Sequence, residues 1–167
     1  MRKDGVTIKD LMRCQPQQGE VVYISIRPES RKPPQEVSEI FADMDHGLQG
    51  DHYSGGAGGK RQVTLINQEH ITAIASFTGE NQLDPGLLRR NIVVRGINLL
   101  SLKNQEIFIG EAVLRMTGLC HPCSRMEENL GEGGYNAVRG HGGITATIVK
   151  SGKISVGDSV SLGQDEV

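Results

Sequence analysis

The segment from Glu106 to Thr117 has the sequence EIFIGEAVLRMT and predicts a β-hairpin. Two short, mostly apolar runs, 106–109 and 112–117, flank Gly110-Glu111. Glycine in the first position of a two-residue connection fits a tight turn between antiparallel strands. This hairpin indicates that the chain is built from short, sequentially paired strands.

The C-terminal region repeats this pattern. Apolar residues at 144, 146 and 148 alternate with Thr145, Thr147 and Val149, which predicts a strand with one buried face. Ser151-Gly152 turns the chain, and Lys153 to Val156 returns it as a second strand. Gly157-Asp158 then separates this strand from a third, at Ser159 to Leu162.

The remaining apolar patterns predict three more strands, at 21–27, 61–66 and 91–94, and one main helix at about 67–78. The helix has an apolar stripe that includes Ile71 and Ile74, with Asn67 as the N-cap. Seven or eight short strands with one main helix predict a mostly β fold, a closed or nearly closed β-barrel. A β-sandwich is the alternative. The expected organisation is a single domain, preceded by a lead-in and followed by a short tail: 1–19, 20–162 and 163–167.

Composition narrows the class of function. The net charge of −2, the isoelectric point of about 6.2 and the absence of tryptophan argue against nucleic acid as the main partner. No apolar run approaches the roughly 18 residues of a membrane span. Because residues 1–5 lack the apolar core of a signal peptide, we expect a cytoplasmic location without a membrane partner. Thiols or metal ligands are then expected of the three cysteines, rather than disulfides.

Chemistry concentrates between residues 118 and 143, a glycine-rich segment that contains the motif Cys120-His121-Pro122-Cys123. Ser124 and Glu127 have the spacing of a capping box, which predicts a short helix with Ser124 as its N-cap. Cys123 would then lie just outside a helix N-terminus, where partial positive charge lowers the pKa of a thiol. Arg125 would assist this effect, and Glu127 would oppose it. A thiolate there could act as a nucleophile, a persulfide carrier or a soft-metal ligand.

Other interpretations of the two cysteines remain open. Cys123 could be a small buried apolar residue, since buried cysteines are common in protein cores. The C-x-x-C spacing also suits zinc, but zinc would need two further ligands, and Cys14 is far away in the sequence. A redox dithiol usually accompanies a β-α-β pattern, which is missing here.

Two more polar clusters are candidate binding regions. The first lies in and before a long glycine-rich connection at 46–60, and long connections of this kind are usually functional or mobile. Its acidic and histidine side chains suit a hard metal or an ordinary polar loop: Asp43, Asp45, His46, Asp51 and His52. The second is Arg89-Arg90-Asn91, which suits either a phosphate or carboxylate ligand or a charged surface.

The order of motifs then resembles a known family. Seven short motifs follow one another between residues 20 and 162: GLQGDHY at 47–53, RQVTLI at 61–66, RNI at 90–92, IGEA at 109–112, PCSRM at 122–126, Gly142-Gly143, and Gly157-Asp158. This string resembles the MOSC family, which is named for the molybdenum-cofactor sulfurase C-terminal domain. The resemblance implies a β-barrel and identifies Cys123 as the signature cysteine.

In that family the cysteine is thought to carry sulfur as a persulfide or to bind molybdenum, and soft thiolate suits a soft metal. The resemblance therefore implies molybdenum cofactor, a pterin dithiolene with a phosphate, and makes Cys123 both the catalytic and the metal-ligand candidate. The candidate cofactor-binding residues lie in or beside the matched motifs: Arg61, Arg90, Asn91, Asp51, His52, Arg125, Gly142 and Gly143.

The resemblance also implies partners. Larger molybdenum-binding relatives carry an additional N-terminal barrel, for which this chain has no length, and no lysine here has the context of a pyridoxal-phosphate site. Sulfur would have to come from a donor such as a cysteine desulfurase. A reductase of N-hydroxylated compounds, supplied by an electron-donor protein, is the alternative function. A non-catalytic module that binds a small anion or a protein is a further alternative.

Overall fold

The computed structural model describes residues 5–53 and 55–163 of the chain. Within these ranges, the four α-helices are α1 Ile8–Arg13, α2 Gln68–Phe77, α3 Ser124–Leu130 and α4 Gly134–Val138. The strands are β1 Gly19–Ile26, β2 Gln35–Val37, β3 Glu39–Asp43, β4 Gly47–Leu48, β5 Val63–Asn67, β6 Ile92–Arg95, β7 Glu106–Ile109, β8 Ala112–Leu119, β9 Ile144–Lys150, β10 Gly152–Ser155 and β11 Ser159–Leu162. Two 3-10 helices lie at Pro85–Leu88 and Leu99–Leu102.

Seven strands close into a barrel, as the strand pattern predicts. They follow the order β11-β7-β8-β9-β5-β6-β1, and β1 pairs with β11 to complete the ring. The β5–β6 pair is parallel and the other pairs of the ring are antiparallel. β2 extends the sheet from β1, and β10, β3 and β4 form a separate three-stranded sheet.

Five strands of the barrel share one row of paired residues. A row of paired residues crosses five strands: Leu119 faces Ile144, Ile144 faces Leu65, Leu65 faces Ile92, and Ile92 faces Ile24. The register puts the end of β8 and the start of β9 on one side of this row, and the end of β1 and the starts of β5 and β6 on the other. Hydrogen bonds from Arg61 to Cys120 and from Arg90 to Gly142 and Cys120 join the two sides. The functional motifs of the sequence are attached at these positions.

Two apolar clusters fill the molecule. The larger lies inside the barrel and includes Leu65, Ile92 and Val94. The smaller lies outside the barrel wall, where Ile66 and Val93 pack against residues of α2, α3 and α4. β5 is therefore buried on both faces, which explains why its sequence shows no alternation of apolar and polar residues.

Most predicted strands and the main helix are confirmed, whereas α4 and the two 3-10 helices were not predicted. Further differences lie in the first third of the chain. The predicted lead-in contains α1, which has a capping box between Thr7 and Asp10. Gly47–Leu48 of the predicted loop 46–60 forms β4. The strands β2 and β3 were also not predicted, and residues 164–167 of the predicted tail lie outside the described residues. Among the described helices, none has the length and apolar character needed to cross a membrane.

Candidate functional site around Cys123

Cys123 lies at the start of α3, and its side chain is exposed. It is the N-cap residue of the helix, with extended backbone angles (φ −125°, ψ 175°), and its side chain makes no capping hydrogen bond. The predicted capping box is therefore wrong: Ser124 is the first helical residue, and the thiol lies one position closer to the helix than predicted. The interpretation of Cys123 as a buried apolar residue is also wrong.

Glu127 explains why the capping box does not form. Its carboxylate accepts hydrogen bonds from the backbone N–H groups of Gly133 and Tyr135, each at 2.8 Å. These hydrogen bonds are the main reason why the pKa of Glu127 lies below its usual value. The carboxylate thus holds the turn between α3 and α4, and it is not available to the N-terminus of α3.

Cys120 differs from Cys123 in burial and in partners. It is 2% exposed, and its backbone N–H donates to the carbonyl of Gly143 at 2.8 Å. Its sulfur accepts from the guanidinium group of Arg61 at 3.9 Å. The free thiols are Cys14, Cys120 and Cys123, and of the pair in the C-x-x-C motif only Cys123 is presented to solvent.

Arg90 lies behind this loop, buried to 7% exposure. Its Nε donates to the carbonyl of Gly142 at 2.7 Å, and Nη1 donates to that of Leu88 at 2.9 Å. Nη2 donates to the carbonyls of Cys120 and His121, each at 3.4 Å. Arg90 therefore fixes the backbone that leads to Cys123, and most of its donors are already used.

Asn91 and Asp51 form a second buried network at the same end of the barrel. Asn91 is fully buried, and its amide donates to Asp51 at 3.3 Å. Its carbonyl oxygen accepts from the backbone and the hydroxyl of Thr64 at 3.1 and 3.0 Å. Asp51 also pairs with Arg27 at 3.2 Å, and its side chain is 0% exposed. These two predicted binding residues support the end of the barrel from inside.

Gly142 and Gly143 have a structural reason to be glycine. A Cβ atom at Gly142 would meet the carbonyl oxygen of Cys120 at 2.1 Å. At Gly143 the backbone has φ +85°, and a Cβ atom would meet the carbonyl oxygen of Leu65 at 2.0 Å. The close approach that the sequence predicts is therefore between backbone segments of the protein itself.

Three arginines beside Cys123 are more open than Arg90. Arg61 is exposed, and Arg89 and Arg125 are half-buried. Among the described residues, neither Arg61 nor Arg125 forms a salt bridge. Burial, then the charges of Arg125 and Arg27, lower the pKa of Arg89, and Cys123 opposes this shift. Burial likewise lowers the pKa of Arg90, with Cys120 and Cys123 acting in the opposite direction. The arginines and the two thiols are thus electrostatic neighbours.

A cleft of about 570 Å³ opens beside the thiol. Its lining residues come from β1, the loop after it, β2, the first 3-10 helix with its two capping residues, and α3: Tyr23, Arg31, Pro33, Pro34, Glu36, Asp84, Gly86, Leu87, Arg89, Ser124, Arg125, Glu128 and Asn129. Ser124 and Arg125 directly follow Cys123 in the chain, so the cleft and the thiol share one edge.

The polar cluster of the glycine-rich connection does not form one site. His46 pairs with Asp43 at 3.3 Å on the surface. The Nδ1 atom of His52 lies 2.6 Å from the carbonyl oxygen of Arg27, whereas Asp51 lies in the buried network. Within the described ranges, no three histidine, cysteine or carboxylate side chains lie together as a metal-binding group.

Sequence reasoning missed Arg27 and Arg31 as site residues, because both lie in a basic, proline-containing loop typical of solvated surface. Arg27 is the ion-pair partner of Asp51, and Arg31 lines the cleft. The signal that could have found Arg27 is its position directly after a buried strand. Arg31 has a left-handed backbone (φ 68°), which its sequence does not indicate.

A closed β-barrel with an exposed thiol at the start of a short helix, surrounded by arginines, defines a class of small thiol-bearing barrel domains. Residues 36–161 match the family model of the MOSC domain. The chain therefore belongs to the MOSC domain family, as the sequence motifs predict, and this family is associated with the molybdenum cofactor. The chain matches no curated protein sequence at a significant level.

Solved structures share the fold. The YuaD protein of Bacillus subtilis is 20% identical with a TM-score of 0.73, over 86% of this chain and 94% of that one. YiiM of Geobacillus stearothermophilus is 16% identical with a TM-score of 0.69, over 89% and 77% of the two chains. YiiM of Escherichia coli is 18% identical with a TM-score of 0.68, over 89% and 71%.

The residues around Cys123 fit a molybdenum cofactor. Guanidinium groups such as those of Arg61 and Arg125 suit the phosphate of the cofactor. The exposed sulfur of Cys123 suits a soft metal whose other ligands are brought by the cofactor itself.

Proposed function

We propose that this MOSC domain binds the molybdenum cofactor at the barrel end that carries Cys123. The observation that carries the proposal is an exposed thiol on a fixed backbone, next to arginines without salt-bridge partners among the described residues. Arg61 and Arg125 would hold anionic groups of the cofactor, and Cys123 would provide the protein sulfur. When bound, the cofactor supplies molybdenum redox chemistry.

The chain's own residues divide into holding and supporting roles. Arg90 fixes the loop of Cys120 and His121 through their carbonyl groups, so the position of Cys123 is set before any ligand arrives. Asn91 and Asp51 keep Arg27 in place at the same barrel end. Preorganisation of this kind lowers the entropic cost of binding.

Two roles of Cys123 follow from this site, and they differ in the fate of its sulfur. As a carrier, the thiolate takes a sulfur atom from a donor such as a cysteine desulfurase and passes it on. As a ligand, the sulfur stays on the metal, and the protein reduces N-hydroxylated compounds with electrons from a partner protein. The exposure of the thiol favours the carrier role, because a donor can reach it without a conformational change.

Metal and pterin analysis tests cofactor binding. The protein is expressed in a host that makes the cofactor, and molybdenum and the pterin fluorescence released on denaturation are measured. We expect both in stoichiometric proportion to each other. Protein that contains neither would contradict cofactor binding and would favour a module for another small anion or a protein.

Intact mass spectrometry tests the carrier role. After treatment with a persulfide donor R–S–SH, which releases R–S⁻ as it transfers its outer sulfur, the protein should gain about 32 Da, the mass of one sulfur atom, and the Cys123→Ser variant should not. The same gain in both proteins would show that the added sulfur is bound to a residue other than Cys123. In the same preparation, Cys123 should react with iodoacetamide faster than Cys14, and equal rates would favour the non-catalytic module.

A further inference from the structure

The cleft beside Cys123 has walls that are joined to one another. Nη1 of Arg89 donates to the carbonyl of Lys32 at 2.7 Å, which ties the 3-10 helix to the loop after β1. Nδ2 of Asn129 donates to the carbonyl of Leu87 at 2.8 Å, which ties α3 to the same 3-10 helix. The cleft is therefore formed before any ligand binds, as small-molecule sites usually are.

Charges of both signs line this cleft in equal number. Arg31, Arg89 and Arg125 supply three guanidinium groups. The three carboxylates come from Glu36, Asp84 and Glu128. A ligand that carries a single sign of charge would leave one of these sets without a partner, so a zwitterion is the better match.

The two signs are unevenly distributed within the cleft. The charges of Arg125 and Cys123 both act on the pKa of Arg89, so these three groups lie near one another. The two guanidinium groups therefore place positive charge at the thiol end. At the other end, burial raises the pKa of Tyr23, and the negative charges of Asp84 and Glu36 add to that rise. Glu128, three residues after Arg125 on α3, adds one carboxylate to the guanidinium groups at the thiol end, which is therefore mainly basic. The end at Tyr23 is acidic, and there the Asp84 carboxylate and the Tyr23 hydroxyl both lie close to Gly86.

We propose that this cleft binds the amino-acid part of a small sulfur donor, the persulfide of cysteine or of a short cysteine peptide. Its carboxylate would face Arg89 and Arg125, and its ammonium group would face Asp84 and Glu36. This inference rests on the proposed carrier role of Cys123 and names its substrate class.

The transfer balances without an oxidant or a reductant. The Cys123 thiolate attacks the outer sulfur of the donor R–S–SH, a new S–S bond forms, and the S–S bond of the donor breaks. The products are the Cys123 persulfide and the donor thiolate R–S⁻, so one thiolate is consumed and one is released. Guanidinium groups at this end stabilise the negative charge as it moves to the leaving thiolate.

Three donors with the same reactive group test the charge pattern. Cysteine persulfide carries both charges, N-acetylcysteine persulfide lacks the ammonium group, and cysteine methyl ester persulfide lacks the carboxylate. The rate of sulfur gain at Cys123 is measured by intact mass in a Cys14→Ser background, which removes the other exposed thiol. We expect cysteine persulfide to react about tenfold faster than either analogue, because each analogue loses one charge-assisted contact.

Two variants test which end of the cleft produces each donor preference. Asp84→Asn keeps an oxygen that can accept from the Gly86 N–H, as Asp84 does at 2.9 Å, but removes the charge. It should abolish the preference for cysteine persulfide over N-acetylcysteine persulfide. The preference for cysteine persulfide over the methyl ester should stay unchanged. Arg125→Gln should abolish the preference for the free carboxylate. Arg115→Gln, on a strand that lines no part of the cleft, is the control and should change neither.

The outcomes separate this inference from the function on which it rests. Equal rates with all three donors would overturn the cleft as a zwitterion site while the carrier role stands. A preference that survives both Asp84→Asn and Arg125→Gln would overturn it equally. No sulfur gain from any donor would contradict the carrier role, and the inference would fall with it.

Discussion

The arginines at the Cys123 end of the barrel fall into two groups with the same residue type and opposite surroundings. Arg90 is 7% exposed and donates to four backbone carbonyl groups. Arg61 is exposed, and its one hydrogen bond with a described residue is the 3.9 Å contact with the sulfur of Cys120. A guanidinium group whose N–H donors are used by backbone carbonyls stabilises the loop, whereas an exposed guanidinium group can bind an anion. Gly143 and Gly140 differ in the same way, because Gly143 is packed against the backbone and Gly140 has open space around it. This difference in packing predicts which substitutions damage the fold.

The largest expected effect is that of Gly143→Ala. Its positive φ and the 2.0 Å approach to the Leu65 carbonyl oxygen cannot be relieved by a flexible side chain. Strain and overpacking together should cost about 4 kcal/mol of unfolding free energy, measured by urea denaturation. Gly140→Ala is the matched control, since Gly140 has φ +80° and open space around it. It should cost only about 1 kcal/mol, and equal losses in both variants would contradict the packing argument.

Arg90→Gln should have the next largest effect. The glutamine cannot reach all four carbonyls, so several buried acceptors lose their donor, at a total cost of about 3 kcal/mol. Urea denaturation measures this loss, and iodoacetamide labelling of the buried Cys120 under native conditions should become faster as the loop loosens. A stable variant with unchanged labelling would show that Arg90 does not position the loop.

Arg61→Gln and Arg125→Gln should affect the ligand and not the fold. Each should weaken retention of molybdenum cofactor about tenfold, because a charge-assisted contact with an anionic group is lost. The free energy of unfolding should change by no more than about 0.5 kcal/mol in either variant. Molybdenum content after gel filtration and urea denaturation measure the two quantities. Full retention in both variants would place the cofactor elsewhere.

The smallest expected effect concerns His70, which packs edge-on against His141 with ring centroids 5.0 Å apart. Burial, and then the charge of His141, lower the pKa of His70 below its usual 6.5, and Glu69 acts in the opposite direction. The folded state therefore binds fewer protons, so its stability is full above pH 6.5 and falls as the pH drops through this value.

Urea denaturation from about pH 7 to about pH 5.5 measures this dependence, since the carboxylates with lowered pKa titrate below this window. His70→Gln should flatten the pH dependence, and His121→Gln, at an exposed position, should not. An unchanged slope in His70→Gln would contradict the assignment.

The barrel could be predicted from the sequence because its strands are short, patterned and separated by glycine turns. The hairpin at 106–117 and the tail strands appear where the alternation places them. β2 and β4 have three and two residues and carry too little pattern to predict. Their strand geometry comes from pairing with β1 and β3.

The site could be predicted only in part, because residue type does not show burial. Cys123 is exposed as its proposed role requires, but Asp51 and Asn91 turn out to be buried partners of Arg27 and Thr64. The cleft could not be predicted, since its walls come from segments that lie far apart in the chain. Only the folded register brings them together.

The central claim is that Cys123 and its arginine neighbours hold the molybdenum cofactor. The most direct test compares the molybdenum and pterin contents of the wild type, Cys123→Ser and Cys14→Ser, all expressed in the same cofactor-producing host. We expect the wild type and Cys14→Ser to carry both, and Cys123→Ser to lose most of its molybdenum while its fold remains intact. Equal molybdenum in Cys123→Ser and the wild type, or none in any of the three proteins, would contradict it.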